Sequence, residues 1–323
     1  MIHPLDVALD ACLKGDFNTS YDILDKMRDD PRALFNLGWH ECRKGNLSKG
    51  MRLMDAGRFI NVFGSPPIPG IIWRNEDLAG KVLLLRLEGG FGDQIHQVRF
   101  ARDFAAKGAR VVISCSHELA PFLSANGHTC VSSPAHLHYD YWMPGMSAAH
   151  VLGMEYSTVS GKPYLDAPAT PLKGAFKVGV KWGGNPQFEH QQHRLFPSRL
   201  MTGLHDLPGT TFYSLQRDDY IIPDLPFEDL GPRMRTWQDT ASLLKGLDLV
   251  ISSCTSVAHL AGALGIPTWI VIPVLPYYLW APPGTRTPWY DSVTLFRQQV
   301  YGNWDAPFKA IRATFSLSIK EAA

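Results

Sequence analysis

Twice in this chain a short run of leucine and β-branched residues ends in a loop of glycines or hydroxyls, and helical spacing follows at once. The first instance is 81–86 (KVLLLR), then the loop EGGFG, then a helical pattern over 93–107. The second is 247–252 (LDLVIS), then SCTS, then a helix over 256–264. Runs separated in this way are parallel strands joined by crossover helices, because tight hairpins need only a few residues between strands. Around the first run the pattern predicts strands at 110–114 and, more weakly, 128–132, with a helix at 117–126. Around the second it predicts strands at 177–182, 211–215 and 268–272, a helix at 238–245 and a closing segment after Trp304. The expected fold class is α/β, with two Rossmann-like domains facing each other across a cleft. Ligands in open parallel sheets sit beyond the carboxyl ends of the strands, so the loops after the strands are where function is to be sought.

A length of 323 residues suits two such domains plus an extension. Residues 1–64 supply the extension and read as helices. LDVALDACL-KGDF and WHEC-KGNL place Cys12 with Cys42 and Lys14–Phe17 with Lys44–Leu47 in register, followed by small and apolar residues at Ser20, Leu24, Gly50 and Met54. This resembles two degenerate tetratricopeptide repeats, although their usual period of about 34 residues is longer. An ordinary helical hairpin pair covering a domain face explains the pattern equally well, and two repeats alone make a poor peptide groove. The segment GSPPIPG at 64–70 is turn punctuation and marks a boundary. The expected division is 1–64, 65–168 and 169–323.

Apolar residues at 45% and charged residues at 19% describe a globular chain. A formal net charge of +1 gives no broad positive field for tracking nucleic acid. Five cysteines with no CxxC pair argue against a disulfide framework or zinc ribbon and for a reducing compartment. The N-terminus lacks the pattern of a secretion signal, and no stretch reaches the ~18 apolar residues of a membrane span. A cytoplasmic protein is expected, and oligomers are compatible with the sequence.

The first loop, Glu88–His96, offers Gly89, Gly90 and Gly92 for a sharp turn, then Asp93 at the start of a helix. Asp93 as a plain helix cap is the simpler reading of composition alone. The second loop, Ser252–His259, is rich in hydroxyls and opens a helix, which makes it an anion site through the positive helix end. Thr255 or Ser256 as a mere cap is compatible with that reading. Ala258, Ala261, Gly262 and Ala263 would let the helix lie close to its sheet.

The segments EGGFGDQIHQVRFAR, KVGVKWGGNP, FYSLQ, DTASLLKGLDLVISSCTSVAHLAGALGIPTWIVIP and PWYDSVTLFRQ, in that order from about Trp73 to Trp304, resemble the bacterial lipopolysaccharide heptosyltransferase superfamily of GT-B glycosyltransferases, especially its tetratricopeptide-bearing relatives. The resemblance implies two facing Rossmann-like domains with a nucleotide-sugar donor held mainly by the second, no metal and no cofactor. It implies Asp93 as general base toward an acceptor hydroxyl, with inversion at the sugar. Gly89, Gly90, Gly92 and His96 would form the acceptor loop. The diphosphate would lie on Thr255, Ser256, Val257, Ala258 and His259, with Arg194 as a side-chain cation, and Asn185 and Gln216 would contact the donor. Cys254 stands where relatives commonly have an aspartate that holds donor-sugar hydroxyls, which leaves the donor open or implies lost catalysis.

Two rival functions follow from the same residues. One is a non-catalytic nucleotide- or sugar-binding protein whose helical extension docks a partner, a reading favoured by Cys254. The other is a transferase acting on modified DNA, for which Arg99, Arg102, Lys107 and Arg110 would have to form a basic patch. The acceptor (saccharide, protein or modified nucleobase), the sugar and the base of the nucleotide are not legible. Glu189, His190 and His193 match no standard metal spacing and read as a solvated loop.

Overall fold

The computed structural model describes residues 2–64, 67–185, 191–204, 209–217 and 226–322. The chain divides into two compact units, Met1–Leu9 with Phe17–Ser160, and Asp10–Asp16 with Gly161–Ala323. Four helices open the chain: α1 (Pro4–Leu13), α2 (Phe17–Asp25), α3 (Pro31–Arg43) and α4 (Leu47–Met54), followed by a 3₁₀ turn, Asp55–Ile60. The sequence repeat has a structural counterpart in two matching helix ends. Gly15 and Asp16 donate to the carbonyls of Cys12 and Ala11, and Gly45 and Asn46 donate to those of Cys42 and Glu41, the paired bonds that close a helix at glycine. Helices α3 and α4 cross closely at Gly38 and Gly50. A methyl on Gly38 would stand 2.6 Å from the Gly50 carbonyl oxygen, and one on Gly50 would stand 2.7 Å from that of Gly38.

The first sheet follows, all parallel, with spatial order β3-β2-β1-β4. Its strands are β1 (Val82–Arg86), β2 (Arg110–Ser114), β3 (Thr129–Val131) and β4 (Tyr141–Pro144). Its helices are α5 (Phe91–Gln97), α6 (Phe100–Ala106), α7 (Ala120–Ala125) and α8 (Ala148–Val151). Leu83, Leu84, Leu85, Val112 and Ile113 are buried and Val82 and Val111 half-buried, as expected of strands in a parallel sheet covered on its faces. The helix expected over 93–107 is two helices. Arg99 Nε donates to the His96 carbonyl at 3.2 Å, the acceptor that Phe100 would use in a continuous helix. The chain tightens there instead, with Ala101 N–H on the Val98 carbonyl.

The second sheet is also parallel and runs β10-β9-β8-β5-β6-β7. Its strands are β5 (Phe176–Lys181), β6 (Thr210–Ser214), β7 (Glu228–Asp229), β8 (Leu249–Ser253), β9 (Thr268–Ile272) and β10 (Val293–Arg297). Its helices are α9 (Gln191–Arg194), α10 (Trp237–Leu244), α11 (Ser256–Ala263) and α12 (Asp305–Ala322). Counted along the chain this is the order 3-2-1-4-5-6 of a doubly wound sheet. One core joins Val178, Val180, Ile251 and Val271 of the sheet to Phe196, Phe308, Ile311 and Phe315. No helix among the described residues is long and apolar enough to cross a membrane, and none of the five cysteines is in a disulfide.

Within the helical extension, His40 of α3 is buried with its Nε2 3.1 Å from Ser20 Oγ of α2. Burial, aided by Lys44 and Arg43, lowers its pKa to about 4. The folded pKa therefore lies below the unfolded value of about 6.5. Stability from this group is complete above pH ~6.5 and is lost as pH falls toward 4, because only the unfolded chain takes up the proton. We expect melts between about pH 7 and pH 4.5 to lose up to roughly 3 kcal/mol through this residue. His40→Gln, which keeps a partner for Ser20, should flatten that part of the pH profile.

Candidate functional site

In a parallel sheet the crevice lies where neighbouring strands send their chains in opposite directions. In the first unit that point is between β1 and β4, and the loop leaving β1 is the glycine loop. Gly89 adopts φ +75°, and a methyl there would lie 2.7 Å from Asp93 Oδ2. Only glycine meets both conditions without strain. Asp93, third residue of α5, receives the Gly90 N–H on Oδ2 at 2.8 Å. The capping role expected from composition is therefore present. A carboxylate has about four acceptor sites, so capping alone does not use up its capacity to take a proton. Gly89, Gly90 and Phe91 are exposed, while Gly92 and Asp93 are half-buried. His96, placed in the acceptor loop by the resemblance, is buried, with its ring edge-on to Phe100 at 5.7 Å.

In the second unit the switch point lies between β5 and β8. Two loops leave there, Trp182–Asn185 after β5 and Cys254–Thr255 after β8. Arg194 ties them together. Its Nη1 donates to the Cys254 carbonyl at 2.8 Å, and its Nη2 would lie 2.8 Å from a methyl on Gly184. That same methyl would be 3.2 Å from Thr255 Cγ2, so the three segments meet at one place. The Ser252 hydroxyl bridges the turn, donating to the Ser253 carbonyl at 2.7 Å and lying 3.1 Å from Thr255 Oγ1.

Thr255 is the N-cap of α11 and makes no side-chain cap. The amides of Ala258 and His259 donate to the Thr255 carbonyl, at 3.0 and 3.4 Å. Helix geometry leaves the earlier amides, those of Ser256 and Val257, without intrahelical acceptors. The anion-binding capacity of this helix start therefore rests on two amides and the half-buried Ser256 hydroxyl. His259 belongs to an aromatic core: its ring stacks on Trp280 at 5.2 Å, and its Nδ1 lies 3.1 Å from Tyr290 Oη. Cys254 is 6% exposed, and its sulfur accepts the Trp280 indole N–H at 3.0 Å.

The remaining expected residues separate. Gln216 is buried, and its amide pairs with both backbone groups of Gly183 at 3.2 Å, bracing the β5 loop from the end of β6. Asn185 is exposed. Glu189 and His190 lie outside the described residues, and His193 pairs with the Tyr301 hydroxyl at 2.7 Å. Of the four residues a DNA-acting enzyme would need as a basic patch, Arg102, Lys107 and Arg110 are exposed, whereas Arg99 is 4% exposed with its Nε turned inward onto the His96 carbonyl. Among the described residues no group of three or more His, Cys, Asp or Glu side chains could hold a metal ion.

Sequence reasoning passed over Glu88, Arg58, Gln97 and Lys181. Lys181, the last residue of β5, is 5% exposed and donates to the Leu215 carbonyl at 3.3 Å. A charged residue at the end of the strand, directly before the loop, was the available signal for it.

No family model matches the chain. It is similar to Protein FlbA of Caulobacter vibrioides, 26% identical over 299 residues, and the match covers 78% of this chain and 48% of FlbA. The chain thus spans about half the length of that relative. Among solved structures, the iron-containing dodecameric glycosyltransferase TibC from enterotoxigenic E. coli aligns with a TM-score of 0.49 and 17% identity, covering 74% of this chain and 67% of TibC. E. coli ADP-heptose lipopolysaccharide heptosyltransferase II aligns with a TM-score of 0.48 and 12% identity, covering 75% of this chain and all (100%) of the other.

The glycine loop yields a direct test. Gly89→Ala places a methyl against Asp93 Oδ2 at a positive φ, and should destabilise the protein by roughly 1–3 kcal/mol. Denaturant unfolding of the variant against wild type measures it.

Proposed function

We propose that this chain is a GT-B glycosyltransferase of the heptosyltransferase-like kind that takes its sugar from a nucleoside-diphosphate sugar. The observation that carries the reading is the convergence, at the switch point of the second sheet, of the Trp182–Asn185 loop, Arg194 and the start of α11. A guanidinium, a helix N-terminus and a glycine-rich approach in one place form a site for a diphosphate. In the first unit, Asp93 stands half-buried in the first turn of α5, next to the exposed Gly89–Phe91 loop beyond the carboxyl end of β1.

The proposed chemistry is a single displacement. The acceptor oxygen forms a bond to the anomeric carbon as the bond from that carbon to the diphosphate oxygen breaks. Asp93 takes the hydroxyl proton, and the diphosphate leaves with the bonding electron pair on the opposite face, inverting the centre. Donors fixed before reaction, the Ser256 and Val257 amides and Arg194, stabilise the charge that develops on the leaving group. The reading includes no metal, and the two-domain description with a tetratricopeptide-like extension belongs to it. A non-catalytic nucleotide-binding protein is the second reading. Its support is Cys254, whose thiol is engaged by Trp280 and is a weak partner for sugar hydroxyls.

Melting in the presence of ADP, UDP, GDP or CDP tests the donor site. One of them should raise the transition, since a ligand at about 100 times its Kd adds ~2.7 kcal/mol to the native state. Arg194→Met should reduce that shift; if none of the four moves the melt, the donor assignment fails. Asp93→Asn keeps an oxygen for the Gly90 N–H, so it tests chemistry more than folding. It should bind the nucleotide as wild type does and lose turnover by roughly 10²–10⁴-fold. Unchanged turnover in Asp93→Asn would remove the general base, and a wild type with binding but no turnover on any donor would favour the second reading.

A further inference from the structure

We infer that Arg58, from the 3₁₀ turn that ends the helical extension, is a positioning residue for Asp93. The inference rests on the transferase reading for its catalytic consequence, but its structural half can be tested alone. Glu88, directly before the glycine loop, is 2% exposed, and a buried carboxylate is sustained only by close donors. Three donors reach it. Arg58 Nη1 bonds Oε1, Arg58 Nη2 bonds Oε2 at 2.9 Å, and the Met146 N–H bonds Oε2 at 3.1 Å. The guanidinium thus grips the carboxylate with both prongs, a geometry that fixes direction as well as distance.

The same turn also holds the loop that leaves β4. Arg58 Nη2 donates to Ser147 Oγ at 2.8 Å, that hydroxyl donates to Asp55 Oδ1 at 2.8 Å, and Asp55 Oδ2 lies 2.7 Å from His150 Nε2. Just beyond the turn, the Phe63 carbonyl accepts the Gly89 N–H at 3.1 Å. Within the sheet unit, Gln97 pairs with both backbone groups of Glu88, at 2.8 and 3.1 Å.

Each residue from Glu88 to Gly90 is therefore anchored. Glu88 is held by Arg58 and Gln97, Gly89 by Phe63, and Gly90 by Asp93 itself. Two of these anchors, Arg58 and Phe63, come from the segment joining the helices to the first strand. Because Asp93 bonds to Gly90, an error in the path of Glu88–Gly89 passes directly to the carboxylate. The helical segment is on this view part of the acceptor site's construction.

The experiment compares wild type, Arg58→Met and Ser147→Ala by amide hydrogen exchange at residues 88–92. In parallel it follows hydrolysis of ADP-glucose, UDP-glucose and GDP-mannose and nucleotide-induced melting shifts. In Arg58→Met we expect loop exchange to rise by about tenfold or more, hydrolysis to fall with it, and the nucleotide shift to stay at the wild-type value. A purely structural prop would leave loop exchange and hydrolysis untouched once the protein is folded. Exchange equal to wild type overturns the inference, and so does faster exchange with undiminished hydrolysis. If wild type hydrolyses none of the three donors, the non-catalytic reading is favoured, and the exchange comparison still decides whether Arg58 sets the loop. Should Arg58→Met not fold, Ser147→Ala removes one contact of the guanidinium and carries the same comparison with a smaller change.

Discussion

A parallel strand can reach its neighbour only by a crossover, and where successive crossovers leave a central strand on opposite sides the loops at the strand ends part. In this protein that constraint acts twice, between β1 and β4 and between β5 and β8. The sheet's hydrogen bonds and apolar faces are satisfied elsewhere, so the gap at each switch point is available for other groups. The glycine loop and the start of α11 occupy those two places. The rest of the candidate site follows from what lines each gap.

In the first unit the lining depends on an ion pair between a buried carboxylate, Glu88, and the half-buried Arg58. Glu88 would be costly in an apolar setting without Arg58, and removing one partner of such a pair typically costs more than the pair itself contributes. That asymmetry makes the helical extension and the first sheet mutually dependent. It also explains the polar chain from Glu88 through Arg58 and Ser147 to Asp55 and His150: each buried polar atom along it is matched by a neighbour.

In the second unit the lining depends on aromatic packing. Trp280 stacks on His259 and turns its indole N–H to Cys254, while Tyr290 meets His259 and presses on the helix at Gly262, where a methyl would stand 2.6 Å from its ring. These contacts fix the position of α11 from below. The small residues of the helix, Ala258, Ala261, Gly262 and Ala263, are therefore packing residues, while the amides at its start keep their outward role. Side-chain packing begins in the first turn, at Val257 and Ala258, so the proposed anion site would use the backbone amides of that same turn.

The strands 81–86, 110–114 and 268–272 were legible because long apolar runs bounded by loops have one economical solution in a parallel sheet. The placement of Asp93 at a helix start and of the hydroxyl-rich turn after β8 was equally local, set by chain order alone. Three strands were not legible: β4 has four residues and ends in proline, β7 has two, and β10 lies among aromatic and charged residues. Their pairing is decided by neighbours distant in sequence. The sequence by itself determined the alternation of strands and helices and the loops on which chemistry could sit. Only the tertiary structure decided that Arg99 turns inward, that Gln216 is used on Gly183, that Cys254 faces Trp280 and that Arg58 holds Glu88. Burial and hydrogen bonding between remote segments settle where a polar side chain points, and no local pattern encodes them.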